Sequence, residues 1–118
     1  MTPFGEKMRA LRKKNGVTQK EMAAAIGVSN AYLSALENGN RGRPSWYLVQ
    51  RIITFFNVIW DEAEEIQRLA QLSHPRIVID TSGLDAKATE FANKLAQSIG
   101  DLSEKEIETL MENLPSKE

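Results

Sequence analysis

The chain has 118 residues, 42% of them hydrophobic, and a formal net charge of −1. That length suits one domain, or a small domain with an appended piece, and the composition is that of a folded chain. It holds no cysteine, which excludes disulfides and thiolate metal sites. No apolar run approaches the roughly 18 residues a membrane span needs. The N-terminus lacks the apolar core of a secretory signal, and a cytoplasmic location is expected.

The net charge conceals an asymmetry. Residues 1–57 hold nine Lys and Arg against three Glu, whereas residues 58–118 hold six against thirteen Asp and Glu. A basic half joined to an acidic half points to an anionic partner for the first, although chance clustering of solvated charge gives the same pattern.

The elements expected in chain order are mostly helices. Phe4, Met8 and Leu11 recur at helical spacing, and Asn15-Gly16 ends that helix. Thr18-Gln-Lys-Glu21 is a capping box that starts a second helix with Met22, Ala23 and Ile26 inward. Ser29 caps a third, with Tyr32, Leu33 and Leu36 following and Asn38-Gly39 stopping it. After the loop NRGRP, Ser45 caps a fourth whose stripe is Leu48, Val49, Ile52, Ile53 and Phe56. A fifth runs from Trp60 to about Ser73, with acidic residues at its start, and His74-Pro75 ends it. RIVID, residues 76–80, is short, β-branched and bounded by Pro75 and Ser82-Gly83, so it reads as a strand. A sixth helix is expected from Asp85 to Ser98, and a seventh follows the capping box Ser103-Glu-Lys-Glu106.

Gly27 stands where the second and third helices meet. Only Gly27-Val28-Ser29 separates them. A turn this tight at a helix end usually needs positive φ, which glycine takes without a Cβ clash. Ala23, one turn earlier, supplies the small side chain that a steep crossing requires. These choices agree with a helix-turn-helix.

The run TQKEMAAAIGVSNAYLSALENG resembles the helix-turn-helix of the Cro/Xre-type regulators of phage and bacteria. Thr18-Gln19, Ala23, Gly27, Ser29, Leu33 and Leu36-Glu37-Asn38-Gly39 carry the resemblance, which covers about residues 4–60. It implies an all-α fold: a five-helix, lambda-repressor-like domain, followed here by the short strand and two further helices. The domain is assigned to residues 1–74 and the C-terminal extension, a dimerisation region, to residues 75–118.

The resemblance implies that the helix Asn30–Glu37 enters a major groove. Asn30, Ala31 and Ser34 lie off the Leu33/Leu36 stripe and are small or hydrogen-bonding, as base reading requires. Tyr32 either packs its ring on the neighbouring helix or reaches a base or phosphate. Gln19 fits the family position that contacts a phosphate and braces the reading helix. Arg41 and Arg43 occupy a loop that runs along the DNA backbone in this family, and Lys20 is a further phosphate candidate. Arg9, Lys13 and Lys14 face phosphate or only solvent. By analogy with related domains, Arg12 and Glu37 form a structural ion pair.

The resemblance thus implies a sequence-specific, double-stranded DNA-binding transcriptional regulator, a dimeric repressor and not an enzyme. RIVID has no second strand to pair with, so it pairs with its two-fold mate or serves as an extended connector. Phe91, Leu95, Ile99, Ile107, Leu110, Met111 and Leu114 line an interface or a core. His74 is the only histidine, so no metal or catalytic site and no cofactor are expected. The alternative is a protein-interaction module, antitoxin-like or antagonist-binding, that uses the acidic half.

Overall fold

Thr2 opens the first helix, and its side chain accepts the Gly5 N–H at 2.9 Å. This helix, α1, spans Pro3–Asn15. Its first position is a proline, where the missing N–H would have had no partner within the helix. The computed structural model describes residues 1–116, and continues with α2 (Gln19–Ile26), α3 (Asn30–Glu37), α4 (Trp46–Phe56) and α5 (Trp60–Gln71). α2, α3 and α4 carry the expected Ser or Thr caps, Thr18, Ser29 and Ser45, and Thr2 caps α1 in the same way.

These five helices enclose one core. α1 packs on α3 and α5, α2 on α3 and α4, and α4 on α5. Phe4, Met8, Met22, Leu33, Ile52 and Ile66 are wholly buried at its centre. The apolar stripes read at helical spacing are therefore the stripes that meet. On the outside of α1, Lys7 bonds Glu65 at 2.6 Å and Glu62 at 3.2 Å on α5. The Glu65 bond holds the Lys7 ammonium above its ordinary value, against an opposing contribution from burial.

Two contacts at the start of α1 have no local signal in the sequence. The Phe4 N–H donates to the Ser73 hydroxyl at 2.9 Å, and that hydroxyl donates to the Leu69 carbonyl. The Thr2 N–H donates to the Glu37 carbonyl at 3.0 Å. One end of α1 is thus fastened both to the last residue of α3 and to the segment that follows α5. Gly5 makes this approach possible. A Cβ there would overlap the Glu37 carbonyl oxygen and lie 2.9 Å from its carbon.

The chain divides into two compact units, Met1–Ile77 and a second beginning at Val78. The second contains α6 (Ala86–Ser98), a 3-10 turn (Ile99–Asp101) and α7 (Glu104–Glu112). Asp85 caps α6, and Ser103 with Glu106 forms the capping box of α7. Neither helix has a fully buried residue. Phe91, Ile99, Leu110, Met111 and Leu114 are all exposed.

The strand expected over residues 76–80 is absent. Ile77–Asp80 has no regular secondary structure, and no strand occurs among the described residues. Ile77 and Val78 are exposed at 74% and 93%. A β-branched run fits a pleated surface, but a strand exists only when a neighbour takes its N–H and C=O groups. Among the described residues no such neighbour runs beside it, so composition alone misassigned it. No helix among the described residues is long and apolar enough to cross a membrane.

Candidate nucleic-acid interface

The turn between α2 and α3 is built around Gly27, whose φ is +78°. The Val28 N–H donates to the Ala23 carbonyl at 3.0 Å, closing the end of α2. Ala23 is buried, as a steep crossing requires. Arg51 of α4 lies across the turn. Its Nη1 donates to the Ile26 carbonyl at 2.9 Å and would stand 3.3 Å from a Cβ on Gly27. Glycine therefore answers two demands at this position, a left-handed backbone and room for a guanidinium. Two residues on, the Ser29 hydroxyl accepts the Tyr32 N–H at 3.0 Å and starts α3. The other end of the motif is equally defined. At the start of α2, the Thr18 N–H donates to the Glu21 carboxylate at 3.0 Å and holds it below the ordinary value, while the Thr18 hydroxyl accepts the Glu21 N–H at 3.0 Å.

α3 turns Leu33 and Leu36 into the core and leaves Asn30 and Ala31 exposed. Ser34 and Tyr32 are half-buried. The Tyr32 ring carries the Arg41 guanidinium at 5.5 Å from its centroid, a cation–π contact. Tyr32 also packs against the core.

Beneath this face lies a charged network. Glu37 is 1% exposed and receives both terminal nitrogens of Arg12, which is itself 8% exposed. Gln19 Nε2 donates to the same carboxylate at 3.2 Å. Arg12 Nη1 also lies 3.4 Å from the Met22 sulfur. Three helices, α1, α2 and α3, are therefore tied at one carboxylate. Gln19 braces the last residue of α3 directly.

The remaining basic candidates differ in their freedom. Lys20 and Arg41 are exposed. Arg43 is exposed too, but its Nη1 donates to Gln71 Oε1 at 2.9 Å, which joins the α3–α4 loop to the end of α5. Arg51 was not among the residues singled out from sequence. Its role depends on a partner 25 positions away, and neither helical spacing nor local motif reports that.

The helix-turn-helix family model matches residues 8–62. The HTH-type transcriptional regulator YazB of Bacillus subtilis (strain 168) is 39% identical over 59 residues, which cover 50% of this chain and 84% of YazB. The chain belongs to the Cro/C1-type helix-turn-helix family of transcriptional regulators. Two further relatives in the same organism are longer. The HTH-type transcriptional regulator RghRB is 33% identical over 61 residues, 52% of this chain and 44% of RghRB. The HTH-type transcriptional repressor RghR is 40% identical over 52 residues, 44% of this chain and 38% of RghR. The chain thus matches less than half the length of these two. Within the family motif, Gly27, Ala23 and the Glu37 network form the scaffold that presents the outer face of α3.

Proposed function

We propose that the chain is a sequence-specific repressor that binds double-stranded DNA by placing α3 in the major groove. One observation carries the reading: α3 leaves Asn30 and Ala31 exposed at its N-terminal end while Leu33, Leu36 and Glu37 are buried. Asn pairs bidentately with adenine, Ser donates or accepts, and an alanine methyl meets a thymine methyl. Gln19, Lys20, Arg41 and Arg43 serve as phosphate contacts, which set register and affinity but not sequence. Repression is the activity named for the relative RghR.

The proposal includes a homodimer joined through residues 75–118. One small domain contacts few bases, and a dimer reads two half-sites about 34 Å apart. In support, α6 and α7 keep Phe91, Leu110 and Met111 exposed, more apolar surface than a solvated helix pair needs. No cofactor takes part, and the setting is cytoplasmic.

Binding is expected to weaken steeply with salt, because each neutralised phosphate releases counterions. An electrophoretic shift series from low to high salt checks this, and an affinity that salt does not change would refute it. The same exposed apolar residues favour a second reading, a module whose acidic half docks a protein partner. No shift with either a random or a selected duplex would favour that reading.

A further inference from the structure

α3 is held at its two ends by different means. At its far end, Glu37 is tied to Arg12 and Gln19. At its near end, only Gly27, Val28 and Ser29 separate Asn30 from Ile26, the last residue of α2. The direction in which Asn30 points therefore follows from how α2 ends.

Two of the last carbonyls of α2 are taken by the turn itself. Ala24 accepts the Gly27 N–H at 3.4 Å, and Ala23 accepts the Val28 N–H at 3.0 Å. The Ile26 carbonyl has no such partner, as is usual in the last turn of a helix. Arg51 Nη1 fills it at 2.9 Å. Among the described residues, this is the one hydrogen bond that reaches residues 26–29 from outside α2 and α3. A guanidinium also suits the negative end of the α2 dipole and makes a stronger bond than a neutral donor. Its root is firm, because Leu48 and Ile52 on either side of it in α4 are buried. Yet Arg51 is itself exposed, so its removal leaves no buried charge, in contrast to Arg12. The contact orients the turn more than it stabilises the fold. Bidentate base reading depends on such orientation, because a hydrogen bond weakens steeply when bent.

We propose that Arg51 is a positioning residue for specificity: by holding the Ile26 carbonyl, it sets the angle at which α3 leaves the turn and so aims Asn30 at its base. This rests on the DNA-binding reading above. The full-length Arg51→Met chain is compared with the parent on a duplex selected from a random pool and on an unselected duplex of the same length. Preference for the selected duplex should fall about tenfold. The slope of affinity against salt should not change, and the urea midpoint should stay near that of the parent. In the Asn30→Ala background, Arg51→Met should cause no further loss at the base pair that Asn30 reads, because the effect passes through Asn30. An equal loss on both duplexes with a shallower salt slope would overturn the proposal and make Arg51 a phosphate contact. A preference that Arg51→Met leaves intact, or losses that add in the double variant, would overturn it as well. So would a urea midpoint far below that of the parent, since the contact would then support the fold and not the aim of α3. In each of these cases, selection of a duplex by the parent leaves the DNA-binding reading standing. A parent chain that shifts neither duplex would remove the reading and the proposal together.

Discussion

Glu37→Ala is expected to destabilise the unit Met1–Ile77 by about 3–5 kcal/mol, read as a lower urea midpoint at unchanged slope. The size follows from what the substitution leaves behind. Arg12 is 8% exposed, and its guanidinium spends both terminal nitrogens on this carboxylate. Without it, a buried cation keeps only the weak Met22 sulfur as a partner. Gln19 loses its acceptor as well. Breaking one side of a buried pair is far more costly than replacing both sides with apolar groups. The double variant Arg12→Met with Glu37→Leu should therefore recover much of the loss. A midpoint for Glu37→Ala equal to that of the parent would mean the network carries no structural weight.

Gly5→Ala is expected to cost about 3 kcal/mol, a melting temperature lower by about 15 °C for a unit this small. Alanine is ordinarily the better helix former, so propensity predicts the opposite sign. The cost is steric. The added methyl would overlap the Glu37 carbonyl oxygen, the acceptor of the Thr2 N–H. It cannot be accommodated by a rotamer change, because the obstacle is backbone. α1 would have to move away from the end of α3, loosening Thr2, Phe4 and the Glu37 network together. A melting temperature within about 3 °C of the parent would show that the two helices approach less closely than described.

These two residues illustrate what the amino-acid order reveals and what it hides. Local rules were legible. Thr18, Ser29, Ser45 and Ser103 cap helices because an oxygen three residues before an unpaired N–H is a sequence-local event. Gly27 was legible for the same reason, since only three residues separate α2 from α3. Arg12 beside Glu37 was legible only through the family pattern, because their 25-residue separation leaves no periodic trace. Gly5 was not legible at all. Its demand for space comes from a backbone 32 positions away, and inside PFGEK it looks like a poor helix residue. Arg51 across the Gly27 turn and Arg43 on Gln71 were hidden in the same way. Residues 76–80 failed in the other direction. Their β-branched composition is a local signal, but strand formation depends on a partner, and composition does not report one.

The account centres on the outer face of α3, and selection of bound duplexes from a random pool tests it most directly. The parent chain and Asn30→Ala are selected side by side. The parent should yield one preferred sequence. Asn30→Ala should lose preference at a single base pair, by about 1–3 kcal/mol, and keep the rest. An equal loss on every sequence, with the preference unchanged, would contradict base reading by Asn30 and with it the claim that α3 reads the groove.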